Sequence, residues 1–168
     1  MNIIFDRNNV AFDPLWVAEF RGFFAGEGSI SIQIIHKKGN SYALFRPRCR
    51  ISLRLDDHQV LREFNERIGG SLFYTNKQSS VGQPTLTWDA SSLCHARIIR
   101  NLLQGSILPC KKFLEVPLWV EAVDILDNKI QHVGRGKSRF TDEQRNRLFE
   151  IAQLLKDYKV CKVQLPVK

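Results

Sequence analysis

Residues 46–55 read Arg-Pro-Arg-Cys-Arg-Ile-Ser-Leu-Arg-Leu, and no other stretch constrains the fold as tightly. Arg46, Arg48, Arg50, Ser52 and Arg54 share one parity, while Pro47, Cys49, Ile51, Leu53 and Leu55 share the other. A period of two marks a half-buried strand, with one face wet and the other against a core. Upstream, Ser29, Ser31 and Gln33 alternate with Ile30, Ile32 and Ile34 in the same manner. The polar stretch 36–41 between them predicts a hairpin.

A second hairpin is expected from residues 71–76 and 85–89 around a turn at 79–84. Thr85, Thr87 and Asp89 face one way there, with Leu86 and Trp88 facing the other. Alternation is weaker in the first arm, where Tyr74, Asn76 and Gln78 form the polar set. Helices surround these hairpins. Asp13-Pro14 is an N-cap followed by proline at the first helical position, opening a helix over residues 15–25. Its apolar surface comes from Leu15, Val17, Phe20, Phe23 and Phe24. Asp56 or Asp57 caps a second helix, 58–68, which stops at Gly69-Gly70. Ser91 or Ser92 opens a third helix that ends at Gly105, and a fourth covers about 111–126, kinked at Pro117. A polar linker, 127–140, precedes the capping box Thr141-Asp142-Glu143-Gln144 of a fifth helix, which reaches about Tyr158. The order α-β-β-α-β-β-α predicts a single α+β domain over residues 1–168, with a core at about 14–126. Helices would cover the apolar face of one antiparallel sheet.

Charge then says what the other face is for. The chain has 25 Lys and Arg against 17 Asp and Glu, a net +8. Segments 28–55 and 67–88 contain no carboxylate and hold Lys37, Lys38, Arg46, Arg48, Arg50, Arg54, Arg67 and Lys77. The remaining residues balance at 17 basic and 17 acidic, so the whole excess lies in the two hairpin blocks. An ordinary wet sheet face mixes both signs, because like charges placed opposite one another repel. A face of Arg, Lys, Ser, Gln, Asn and Thr suits a polyanion, and these side chains contact phosphates and read base edges. Nucleic acid is the expected partner, since a two-stranded ribbon fits a major groove. A generic basic domain with no nucleic-acid role would instead bind independently of salt. No membrane partner is expected, as no window approaches the roughly 18 apolar residues of a span, and no small-molecule substrate is called for. With no basic-then-apolar leader at its start, the chain reads as soluble and intracellular. Cys49, Cys94, Cys110 and Cys161 stand singly, without the paired spacing of a zinc site, and read as reduced thiols.

Glu27 stands in an unusual place, in Gly26-Glu27-Gly28-Ser29 at the end of the first helix. A carboxylate there faces the negative end of the helix dipole and unpaired carbonyls. Gly22 and Gly26 lie four apart on one helix face, a spacing that lets a second backbone come close. If a symmetric copy packs there, two carboxylates meet, which favours a cation between them. Carboxylate and carbonyl oxygens are ligands that Mg²⁺ accepts.

Phe20-Arg21-Gly22-Phe23-Phe24-Ala25-Gly26-Glu27-Gly28-Ser29 resembles the LAGLIDADG motif of homing endonucleases, with its Gly-x-x-x-Gly-acid-Gly frame intact. The strand pairs, the Ile68–Leu72 helix stop and Pro109-Cys110-Lys111-Lys112 follow in family order. The resemblance implies an αββαββα fold with a saddle-shaped sheet in the major groove and a C-terminal helix beyond it. It implies Glu27 and the Gly26 carbonyl as ligands of Mg²⁺, with Mn²⁺ able to substitute, and Lys111 as the active-site lysine, with Lys112 as the alternative. Motif helices would meet at a two-fold axis through Phe20, Gly22, Phe23 and Gly26. The strand parity, together with this resemblance, points to Ser29, Ser31, Gln33, Lys37, Arg46, Arg48, Arg50, Ser52, Arg54, Tyr74, Asn76, Gln78, Thr85 and Thr87 as the DNA-facing set. Two departures stand out: Ala25 replaces the motif's usual first acid, and the late second strand has no Gln, leaving Arg54 and Asp56 as candidates.

Only one such motif is present, so the resemblance implies a homodimer cutting both strands of a long pseudo-palindromic site in double-stranded DNA. Phosphodiester hydrolysis would leave 5′-phosphate and 3′-hydroxyl ends. The alternative is an intron-splicing maturase or a non-cleaving DNA-binding relative. An organelle (chloroplast or mitochondrion) or microbial cytoplasm is the expected compartment.

Overall fold

A computed structural model describes residues 4–36, 43–75, 84–105, 112–128 and 140–160. Helix α1 (Pro14–Glu27) leads directly into strand β1 (Gly28–His36), which pairs with β2 (Ala43–Arg54). After a 3₁₀ turn, Leu55–Asp57, come α2 (His58–Arg67), β3 (Ser71–Thr75), β4 (Thr85–Ala90) and α3 (Leu93–Leu103). Helices α4 (Lys112–Asp127) and α5 (Asp142–Val160) follow. The α+β class and the αββαββα order are therefore as the sequence predicts. The four strands form one antiparallel sheet in the order β1-β2-β4-β3, so β2 and β4 are its central pair.

Local chemistry accounts for the boundaries. The Asp13 carboxylate accepts from the Leu15 amide at 3.1 Å, with Pro14 at the first turn of α1. Ser92 caps α3 by accepting from the His95 amide at 3.3 Å. The capping box before α5 forms reciprocally: the Thr141 amide donates to Gln144 and the Gln144 amide to Thr141, each at 3.2 Å. Asp57 is the N-cap residue of α2, but its side chain makes no capping bond; the preceding 3₁₀ turn leads into the helix instead. Gly69 and Gly70 turn the chain at φ +93° and +129°, and a Cβ on Gly70 would lie 2.8 Å from the Trp88 indole nitrogen. That nitrogen donates to the Gly69 carbonyl at 3.0 Å, tying the turn to β4.

The core lies between the sheet and its helices. Trp16, Phe20 and Phe24 repeat every four residues along α1 and stack in a ladder that continues to Phe12. Phe64 of α2 and Trp88 of β4 meet this ladder edge-on. Ile30, Ile32, Cys49, Ile51, Leu86 and Trp88 line the inner face of the sheet, all buried. Leu15, placed on the apolar side of α1 from sequence, is exposed, and Trp16 takes its place in the core. Among the described residues no helix is long and apolar enough to cross a membrane.

Candidate nucleic-acid interface and metal site

The helix-free face of the sheet carries the side chains of one parity. In β1–β2 the register sets Ser29 across from Arg50, Ser31 from Arg48 and Gln33 from Arg46. In β2–β4 it sets Ser52 across from Thr87 and Arg54 from Thr85. Directly paired residues share a face, so Ser29, Ser31, Gln33, Arg46, Arg48, Arg50, Ser52, Arg54, Thr85 and Thr87 form one polar surface. Lys37, Asn76, Gln78 and Lys111 lie outside the described residues.

Tyr74 does not belong to that surface. It pairs with Leu86, and its neighbour Leu72 pairs with Trp88, so both point to the helix-covered side. Ser71, Phe73 and Thr75 occupy the polar face instead, across from Asp89, Thr87 and Thr85. Phe73 is half exposed there, an aromatic ring among alcohols and arginines. Leu72-Phe73-Tyr74 offers no alternation to fix this from sequence; the cross-strand register with Trp88 and Leu86 decides it.

The face is also not free of acid. Asp89 sits across from Arg50 on the central strand pair and is 5% exposed. Its Oδ2 accepts from Arg48 Nε at 2.7 Å and from Arg48 Nη2, and from Arg50 Nε at 3.3 Å and Nη2 at 2.9 Å. Arg54 meets Asp56 at 3.2 Å, both mostly exposed, a geometry worth little in water. Ser52 and Thr87 hydroxyls bond each other at 2.8 Å. Asp56 and Asp89 are the residues that immediately follow the two acid-free blocks. The charge excess is real along the chain, yet folding brings those two carboxylates back onto its arginines.

At the β1 end of the face, α1 delivers Glu27. Its side chain is exposed and makes no hydrogen bond or ion pair among the described residues. Carbonyls of the last helical turn, Gly26 among them, lack donors from a continuing helix. Gly28 is fixed by close approach: a Cβ there would lie 2.3 Å from the Phe24 ring and 2.5 Å from the Phe24 carbonyl. Behind it, Lys112 is 7% exposed, and its ammonium donates to the Gly28 carbonyl and to Glu115 at 3.3 Å. Glu115 is wholly buried, and its Oε1 has no partner among the described residues. Phe24 lies under the same ammonium, its ring centre 5.4 Å away. Of the two lysines singled out from sequence, Lys112 is the one seen to brace the motif. Burial pushes the Cys49 thiol, on the inner face of β2, up to about 12.

Hard oxygen donors, Glu27 carboxylate and Gly26 carbonyl, fit a divalent cation such as Mg²⁺. Among the described residues no three His, Cys, Asp or Glu side chains gather as a metal-binding group. The described residues of one chain thus offer only part of a donor set.

Among the described residues, nothing covers the glycine row on the outer side of α1. Leu15, Ala18, Glu19, Gly22, Phe23 and Gly26 are exposed along one helical row. No described atom lies within 4 Å of where a Cβ would stand on Gly22 or Gly26. Phe20 is not part of this row. It is fully buried, with its ring 5.1 Å from Phe64, because two residues further along a helix means about 200° of rotation. A face containing Gly22 therefore excludes Phe20.

The LAGLIDADG endonuclease family model matches residues 20–123. The crystal structure of the homing endonuclease I-TnaI superposes with a TM-score of 0.64 at 17% identity, over 89% of this chain and 97% of that one. I-GzeII in complex with its DNA target gives 0.59 at 22% identity, over 83% of this chain and 42% of that one. I-SmaMI bound to uncleaved target DNA with calcium ions gives 0.66 at 15% identity, over 87% and 45%. This chain thus spans nearly all of I-TnaI but under half of the other two. No curated protein matches it. At these identities the structures show a shared fold, whereas the family model covers most of the chain, motif helix through α4: the protein belongs to the LAGLIDADG endonuclease family.

Proposed function

We propose that the chain is a homodimeric, site-specific homing endonuclease that makes a double-strand break in a long pseudo-palindromic DNA site with Mg²⁺. One observation carries this most: Glu27 is an exposed carboxylate, without a partner among the described residues, at the junction of the outer α1 face and the polar sheet face. A carboxylate at a helix C-terminus is electrostatically unfavourable unless a cation meets it. Two copies packed through Gly22 and Gly26 would bring two Glu27 side chains and two Gly26 carbonyls together, completing a donor set that one chain leaves partial. Bound Mg²⁺ would supply Lewis-acid stabilisation at the phosphate and lower the pKa of water.

The remaining work belongs to the chain's own residues. Lys112 holds the Gly28 carbonyl and so fixes the residue after Glu27, with Glu115 holding the ammonium. Ser29, Ser31, Gln33 and Arg46 present donors and acceptors in register along two strands, as a ribbon in a major groove requires. Arg54, Thr85 and Phe73 extend that surface across the sheet.

Selection of bound sites from randomised duplexes, followed by incubation of the selected site with protein and Mg²⁺, tests the assignment. Wild type with Mg²⁺ should break both strands, and chelation should abolish the break. Glu27→Gln should bind the same duplex and leave it intact. Wild type that binds but never cuts overturns the nuclease assignment in favour of a maturase or other non-cleaving relative.

A further inference from the structure

Among the described residues, the side-chain hydrogen bonds of Asp89 all go to arginines of β2. Its Oδ2 accepts four N–H groups from Arg48 and Arg50, and its Oδ1 has no partner among the described residues. A carboxylate so placed repels phosphate and loses water on burial, so it counts against simple affinity for DNA. Its position is central rather than marginal, since β2 and β4 are the inner strands of the sheet. What the carboxylate does provide is geometry. Arg48 and Arg50 each commit Nε and Nη2 to one fixed oxygen. A guanidinium has five N–H donors in a rigid plane. Engaging Nε and one hydrogen of Nη2 leaves the Nη1–Nη2 edge as a two-pronged donor. That edge matches guanine O6 and N7, the commonest specific contact in a major groove. Held this way the two cations share one anion, so their combined charge is about +1 rather than +2. Free arginines on flexible stems would instead settle on whichever phosphate came nearest, with no sequence information.

We propose that Asp89 is a specificity-determining positioning residue, which withholds Arg48 and Arg50 from phosphate and presents their outer edges to guanine. It rests on the DNA-binding assignment above and goes beyond it by naming how two of the basic residues are made to read rather than merely attract. Asp89 itself is not required to touch DNA; it acts through the arginines.

The test is a salt series of binding to a random-sequence duplex and to the selected site, without divalent metal, for wild type and Asp89→Asn. Asparagine preserves the shape of the side chain and removes its charge. Freed arginines should find phosphates, so the slope of log affinity against log salt should steepen by about 1 to 2, at about 0.9 per phosphate neutralised. Random duplex should then bind about tenfold tighter at low salt, while the advantage of the selected site over it shrinks by a similar factor. Asp89→Glu, which keeps the charge, should restore part of that advantage.

A purely structural role would lower the melting temperature of Asp89→Asn and leave the slope unchanged below the melt, and that result overturns the proposal. If Asp89→Asn does not fold, Arg48→Gln/Asp89→Asn removes the carboxylate without leaving two guanidiniums crowded together. That variant should keep at least the wild-type slope despite losing an arginine, because Arg50 is released. A slope lower by about 1 would mean that Arg48 already rested on phosphate, again overturning the proposal. Wild type that binds duplex independently of salt would instead overturn the DNA-binding assignment itself.

Discussion

Phe73 and Tyr74 are adjacent in sequence and sent by the sheet to opposite faces, so they make a clean pair of probes. Phe73 stands across from Thr87 on the polar face, and Tyr74 across from Leu86 on the helix-covered face. On the proposed DNA-reading face, an exposed ring would offer apolar contact to a thymine methyl. Phe73→Ala should therefore weaken binding of the selected duplex by about 1 kcal/mol, roughly fivefold. Tyr74→Ala should leave affinity within about twofold and act, if at all, on the melting temperature. Measuring both by fluorescence anisotropy decides it, and the reverse ranking would mean that the register of β3 is shifted by one. The parity of β2 was legible because five polar positions alternate without a break from Arg46 to Arg54. That of β3 was not, since Leu72, Phe73 and Tyr74 are all candidates for either side. Asp89 was placed on the correct face from sequence, but its pairing with two arginines two strand positions apart needs the register, which no local pattern carries.

At the scale of elements, the caps were the most legible features, because an N-cap bonds amides only two or three residues away. Asp13, Ser92 and Thr141 all act where the sequence puts them. The split of α1 into a buried aromatic ladder and a bare glycine row was only half legible, since Phe20 and Phe23 look equivalent until the core is built. How α5 attaches was not legible at all. Phe149 packs on Phe45 of β2 with ring centres 5.0 Å apart, and Arg147 forks onto Glu121 of α4 at 2.6 and 2.7 Å. The Arg147 guanidinium holds the Glu121 carboxyl below its ordinary value of 4.5. A depressed folded-state pKa means the unfolded chain takes up the proton first, so the stabilisation is full above about 4.5 and fades as pH falls through the folded value. The pair is solvent-screened and worth less than about 1 kcal/mol. Chemical unfolding between pH 3 and 7 should show wild type more stable than Glu121→Gln at pH 7, with the gap closing towards pH 3. A gap independent of pH would mean that the fork contributes through packing alone.

For the whole molecule, the question is why the described residues leave the glycine row of α1 uncovered. Gly22 and Gly26 each cost helix stability relative to alanine, about 1 kcal/mol apiece, and no described neighbour in the chain requires either to be small. Gly28, by contrast, is demanded from within by Phe24. No described residue of the chain gives these glycines a reason, and the proposed second copy of α1, packed backbone to backbone, would supply one. On the proposed function, a second copy would also bring a second Glu27 to the cation and give each DNA strand its own motif. Gly22→Leu separates these effects. In a lone chain it should fold and melt no lower than wild type, because the helix gains propensity and nothing is displaced. In the dimer it would hold the motif helices apart. Sedimentation should then find wild type as a dimer and Gly22→Leu as a monomer, binding one half of the selected site and making no double-strand break. Should Gly22→Leu remain dimeric and cut both strands, the two-fold axis does not pass through α1. Glu27 would then have to meet its cation without a second carboxylate opposite.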